Sequence, residues 1–334
     1  MQSIGDMAQA LVLRHRNTQI RQQIDRLGLE LSTGIASDPA KHLSGDVTTL
    51  ATLDRSLSVL EGFRIATTEA GHLTGVMQTT LGHVQDRTEA LSLSLLQSDI
   101  QVTDTSRAAL AEQAGTALDT VLRDLNTTAG GRTLFGGVAT DRNAVASSDT
   151  LIADLRVALA GQTTLTGIEG ALDAWFDTPG GGFETQTYLG STTSLAPLQL
   201  GPSEAATLDI RADDPVFRDT LKALALATLS GDPVLNLPQD LRGDMLASAG
   251  DALLQTQPQL TELRAGLGLL EHRIEDTVTR NAAEKASTEM ARLNLISVDP
   301  YETATQLENA QLQLESLYAV TVRASRLSLT EFLR

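Results

Sequence analysis

Five histidines, His15, His42, His72, His83 and His272, are the side chains best suited to bind a transition metal or to move a proton near neutral pH. His72 and His83 share one face of a predicted helix. They are eleven residues apart, which places them about 16 Å apart at 1.5 Å per residue. One ion cannot bridge that gap, and no His-Glu-x-x-His sequence occurs. The chain has no cysteine, which excludes a thiolate metal site and a disulfide framework. The histidines therefore read as solvated or interfacial, and no metal or other cofactor is expected.

The other chemically suggestive residues have simpler readings. Gly130-Gly131 and Gly136-Gly137 lack the Lys-Ser/Thr ending and the strand-then-helix setting of a phosphate loop. They read as a helix end and a turn, and Gly180-Gly181-Gly182 as a loop. Asp213-Asp214 could pair as acid and base, but Pro215 follows directly, and the pair reads as an N-terminal helix cap. No Gly-x-Ser-x-Gly elbow accompanies the many serines. Asn126-Thr127-Thr128 matches a glycosylation sequon at a helix end and receives no role. No catalytic constellation emerges, and the chain is not read as an enzyme.

Composition narrows the classes further. The 334 residues carry 25 Lys+Arg against 42 Asp+Glu, a net charge of -17, so nucleic acid is excluded as a natural partner. Aromatics make up 3% of the chain, so a core must be built from Leu, Ala, Val and Ile. No stretch approaches the roughly 20 apolar residues of a membrane span, and membrane insertion is not expected. Met1–Leu13 lacks a basic region ahead of its apolar residues, unlike a cleavable secretory signal.

Apolar spacing sets the elements. Ile4, Met7, Ala8 and Leu11 form one short stripe, and Ile20, Ile24, Leu27 and Leu31 another. The polar run Arg14–Gln19 between them predicts a break or a change of partner. Gly34 ends this helix, and Ser37-Asp38-Pro39 makes a turn. A second helix is predicted from Ser44 to Gln97. A third starts at a cap on Asp104 or Thr105 and ends at Gly130-Gly131. From about Asp141 to Asp214 the helical period fades. Two short helices, 150–159 and 165–175, precede short strands at 183–189, 195–200 and 206–211. Helices return at 215–229, at 239–295 with a kink or reset at Pro258, and at 300–333, capped by Asp299 with Pro300 in the first position.

The fold class is therefore mainly α with a smaller α+β insert. Both chain ends join in a discontinuous, coiled-coil-like bundle of long helices, with a strand-containing middle domain between them. The expected divisions are an N-terminal helix at 1–34, a first bundle part at 35–140, the middle domain at 141–214, a second bundle part at 215–298 and a C-terminal helix at 299–334.

Three stretches now carry a resemblance. Leu31-Ser32-Thr33-Gly34 followed by Ser37-Asp38-Pro39-Ala40 resembles the turn after the first helix of flagellins and their hook-associated relatives. Here the turn is shorter and has one Asp where two are common. Gly131-Arg132-Thr133-Leu134-Phe135-Gly136-Gly137 is similar to an element of hook-associated members. Asp299-Pro300-Tyr301-Glu302-Thr303-Ala304, with Leu314-Glu315-Ser316-Leu317-Tyr318-Ala319, resembles the family's C-terminal helix. Arg326-Leu327-Ser328-Leu329 is like the hook-associated members, whereas the closing Leu333-Arg334 is like flagellin.

The resemblance implies a structural adaptor of the bacterial flagellum, joining the hook, through a neighbouring hook-associated protein, to the flagellin filament. A flagellin-like filament subunit is the alternative. It also implies passage unfolded through the flagellar type III channel with an export chaperone, an extracellular location, and partners among flagellin, the neighbouring hook-associated protein and copies of the chain itself. The expected assembly surface comprises Ile4, Met7, Leu11, Ile20, Ile24, Leu27 and Leu31 at one end. At the other it comprises Leu307, Leu314, Leu317, Tyr318, Leu327, Leu329, Phe332 and Leu333.

Overall fold

The structure is a computed structural model that describes residues 4–97 and 103–332. Its long helices are α1 (Ile4–Thr33), α3 (Thr48–Leu96), α4 (Asp104–Leu125), α7 (Pro215–Ser230), α8 (Gln239–Ile296) and α9 (Pro300–Phe332). Three shorter helices join them: α2 (Pro39–His42), α5 (Ser148–Ala158) and α6 (Leu165–Phe176). Two antiparallel hairpins complete the described residues, β1 (Thr128–Ala129) with β2 (Arg132–Thr133), and β3 (Leu198–Gly201) with β4 (Glu204–Ala206). A mainly helical fold with a small β-containing insert is what the chain adopts.

Local chemistry accounts for many boundaries. Asp38 Oδ1 accepts the Lys41 N–H at 3.1 Å and caps α2, with Pro39 in its first turn. Thr103, one residue ahead of the expected cap, caps α4 by accepting the Ser106 N–H. That helix ends at Leu125 rather than at the glycine pair. Gly130 and Gly131, at φ +58° and +79°, instead form the two-residue turn between β1 and β2, a conformation that glycine adopts without strain. Asp299 Oδ1 accepts N–H bonds from Tyr301 at 2.8 Å and Glu302 at 3.2 Å, as expected for the cap of α9.

Four expectations are corrected. Helix α1 has no break at Arg14–Gln19, because Leu13 and Asn17 carry its half-buried stripe across that run to Ile20. Helix α8 runs through Pro258 as one element, so the proline does not reset the helix. Pro258 and Leu254 both lie on its exposed side, where the Leu254 carbonyl left without a helix partner can meet water. Residues 183–189 are not a strand. Phe183–Thr187 form a π-helical turn. Its buried side chains, Phe183 and Thr187, are four apart, a helical rather than a strand period. Of the strand expected at 206–211, only Ala206 pairs, within β4.

The chain divides into two compact units, Met1–Glu61 with Ala282–Arg334, and Gly62–Asn281. Helices α3 and α8 contribute residues to both. The larger unit has one main core, in which Met77, Leu81 and Leu95 of α3 join Leu118 and Leu122 of α4 and Leu221 and Leu224 of α7. The middle segment adds Leu151, Leu155, Ile168, Leu172 and Phe176 to this same core. Each short helix has a single apolar face too small to be buried without the long helices.

Phe135, from the Gly-rich element, is fully buried and meets Phe217 edge-on with ring centres 6.1 Å apart. Gly137 is at φ +60°, and a Cβ there would come within 2.5 Å of the carbonyl oxygens of Ser191 and Thr193. Buried threonines serve as core residues because their hydroxyls bond the preceding helical turn. Thr74 donates to Ala70 O at 3.0 Å, Thr88 to Val84 O at 2.8 Å and Thr220 to Val216 O at 2.7 Å.

Candidate assembly surface

The smaller unit holds most of the residues expected to mediate assembly. Its frame is the pair α1 and α9, which lie against each other along their lengths. They run antiparallel. The Ala36 N–H donates to Ile296 O at 2.9 Å and the Val298 N–H to Gly34 O at 3.0 Å, closing an antiparallel bridge between Ile35 and Ser297. Gly34 makes this possible at φ +71°, its own N–H still donating to Glu30 O at 2.8 Å. The buried Glu30 carboxylate accepts the Ser37 N–H at 3.1 Å and so fastens the following turn to the end of α1. The Leu-Ser-Thr-Gly and Ser-Asp-Pro residues thus form the turn that ends α1 and holds it beside the start of α9.

The seam has heptad spacing on both sides. On α1 the seam positions, half-buried or buried, are Leu13, Asn17, Ile20, Ile24 and Leu27, with Arg26, Gly28 and Glu30 also covered near its end, and on α9 they are Thr303, Leu307, Ala310, Leu314 and Leu317. Steps of four and three alternate in each set, the pattern of a two-helix seam. Leu27 and Ala310 are each 1% exposed. Charge supports the pairing. Residues 7–24 contain Arg14, Arg16 and Arg21 and no acid, whereas residues 300–322 contain Glu302, Glu308 and Glu315 and no base. Arg21 Nη2 donates to Tyr318 Oη at 2.6 Å. That bond, and a weaker one from Asn17, hold the Tyr318 phenol below its ordinary pKa. In the same unit Arg292 pairs with Asp54 at 2.6 Å and Lys285 with Glu61 at 3.0 Å, joining the start of α3 to the end of α8.

The expected assembly residues therefore fall into two groups. Ile20, Ile24, Leu27, Leu307, Leu314 and Leu317 sit in the α1–α9 seam and are buried or half-buried within the chain. Met7, Leu11, Leu31 and Tyr318 are exposed. The side chains of Ile4, Leu327, Leu329 and Phe332, and the whole of Leu333, lie outside the described residues. Sequence spacing did not single out Val12 and Leu29, which are more than half exposed. Leu312, Val320 and Val322 on α9 are also more than half exposed, beside the seam positions of the same helix. Leu29 was legible in principle, as the apolar residue off the Ile24–Leu27–Leu31 stripe.

No catalytic group is gathered here. Among the described residues, no cluster of three or more His, Cys, Asp or Glu could hold a metal ion, and no helix is long and apolar enough to cross a membrane.

Comparison with known proteins agrees with this geometry. Residues 251–333, from within α8 through α9, match the family of the bacterial flagellin C-terminal helical region. No curated protein matches the sequence. A solved structure described as a "putative flagellar hook-associated protein from Vibrio parahaemolyticus" superposes with a TM-score of 0.52 at 12% identity, over 77% of this chain and 97% of that chain. Identity that low carries the fold alone. The family match points to a structural protein rather than an enzyme. The C-terminal part of the chain is similar to the flagellin C-terminal helical region, and the fold of the chain is similar to that of the Vibrio parahaemolyticus structure.

Proposed function

We propose that this chain is a non-enzymatic subunit of the bacterial flagellum that joins the hook to the flagellin filament. The observation that carries the reading is the antiparallel α1–α9 pair. Its seam is closed by heptad-spaced residues, while Met7, Leu11, Val12, Leu29, Leu312, Val320 and Val322 stay exposed on the same two helices. Apolar side chains left free on both helices of a closed pair are available for contact with other chains. In this reading residues 1–34 and 299–334 form the inner core of the assembly. Residues 35–140 and 215–298 form the surrounding bundle, and 141–214 the variable part.

The partners are the neighbouring hook-associated protein, flagellin and further copies. The chain reaches the cell exterior by the flagellar type III route with an export chaperone. A second reading, a flagellin-like filament subunit, is favoured by the match of residues 251–333 to the flagellin C-terminal region. Electron microscopy of the purified protein separates the two, since a junction subunit forms no long filaments by itself. Long homopolymers would refute the junction role. A chain cut after residue 313 should keep its larger unit folded yet fail to support filament growth on hooks. Normal growth would show that α9 is not the assembly element.

A further inference from the structure

Residues 206–210 have the alternation of a strand without its pairing. Ala206 and Leu208 are buried, while Thr207 and Asp209 are exposed. Ala206 pairs with Leu198 at the end of the β3–β4 hairpin. Beyond it, no backbone hydrogen bond from the described residues reaches Thr207, Leu208, Asp209 or Ile210. An extended segment with free N–H and C=O groups is a template for another strand.

A groove of about 560 Å3 runs beside this segment, with α8 as its other wall, and all of it lies in the larger unit. Leu208, Val216, Leu263 and Leu270 give it an apolar lining. Gly266 opens it further, since a Cβ there would meet nothing within 4 Å. Its charged lining residues are Asp209, Asp214 and Glu262, with no base among them.

We propose that this groove docks an extended segment of another polypeptide, added as a strand along Thr207–Ile210, with apolar side chains against α8 and basic side chains beside Asp209 and Glu262. The free backbone selects a strand over a helix, because a helix uses its own N–H and C=O groups internally and leaves those of 207–210 unmet. The acidic rim selects a basic partner. It also argues against the same strand of a second copy, which would bring Asp209 towards Asp209. This inference stands apart from the proposed flagellar role and uses none of its surface.

The test uses the full chain and the synthetic peptide Lys-Val-Thr-Val-Thr-Val-Lys with blocked ends. Binding is read by fluorescence anisotropy and by hydrogen exchange of the Leu208, Asp209 and Ile210 amides. The peptide should protect those amides, and added salt should weaken it. The same peptide flanked by Glu, or N-methylated on alternate residues, should bind at least about tenfold more weakly. Gly266→Leu should fill the groove and cost a similar factor, while leaving helix content unchanged, since Leu is the better helix former. Three results would overturn the proposal. One is no protection at millimolar peptide. Another is equal binding by the N-methylated peptide or by the Gly266→Leu chain, which would place the occupant elsewhere or make it helical. The third is protection of these amides in the protein alone that rises with its concentration, which would identify a second copy as the occupant.

Discussion

Leu27→Ala tests whether the α1–α9 seam is the internal core of the smaller unit or a surface awaiting other subunits. Leu27 is 1% exposed, so its truncation removes buried methyl groups and leaves a cavity. Such changes cost about 2–5 kcal/mol. A two-helix seam has little neighbouring material to collapse into the space, which favours the upper half of that range. Leu29, two residues on, is 55% exposed. Its truncation should change folding by no more than about 0.5 kcal/mol. Hydrogen exchange resolved along α1 and α9 reads both, with the larger unit's helices as internal reference. For Leu27→Ala the protection of seam amides should fall by about thirtyfold to several thousandfold, the equivalent of about 2–5 kcal/mol. For Leu29→Ala it should stay level while incorporation into flagella falls. Equal protection in the wild-type and Leu27→Ala chains would refute the claim that this seam closes within one chain. Loss of protection in Leu29→Ala would refute the division of α1 into a core face and a free face.

Other positions give independent checks. Gly137→Ala should destabilise the larger unit by more than about 2 kcal/mol in denaturant melts, since a Cβ at φ +60° would meet two carbonyl oxygens at 2.5 Å. Asp299→Ala removes the acceptor for two N–H groups of α9 and should lower the protection of its first turn by about 1 kcal/mol, with the larger unit unaffected. Burial raises the Asp124 carboxyl above its ordinary range, against the pull of His83 and Arg87, and its Oδ2 has no hydrogen-bond partner. The folded state therefore holds that proton more tightly than the unfolded one, and this contribution to stability, present below the ordinary Asp pKa, is lost as pH rises through the folded value. Asp124→Asn should be the more stable chain at neutral pH, with the advantage vanishing in acid. An advantage that persisted below the ordinary Asp pKa would contradict that cause.

The elements that were legible from sequence share a physical basis. Helix seams such as Leu260–Leu263–Leu267–Leu270–Ile274, the Asp38-Pro39 and Asp299-Pro300 starts and the end of α1 at Gly34 depend on residues within a few positions of one another. The misreadings turn on packing and pairing that the local pattern of residue types does not show. Asn17 looked like part of a polar interruption, yet it lies on the seam facing Tyr318, which is three hundred residues away in sequence. Phe183 has a strand former's side chain, but stacking between Phe176 at 5.6 Å and Tyr188 at 6.4 Å fixes a helical turn instead. The Gly130-Gly131 pair could cap a helix or turn a hairpin, and the pairing of Thr128 with Thr133 decides for the hairpin.

By itself, the sequence determined the helical class, most element boundaries, the absence of thiol chemistry and the family resemblance at both ends. These follow from period, caps and composition, which act over one or two helical turns. Only the tertiary structure decided which apolar residues are spent inside the chain and which remain free. Ile24, Leu27 and Leu31 form one stripe in sequence. Leu27 is buried, Ile24 half-buried and Leu31 exposed, because burial depends on where α9 lies and not on the residue's own type. The unpaired segment at 207–210 was decided in the same way, since its backbone groups find no backbone partner elsewhere in the described chain.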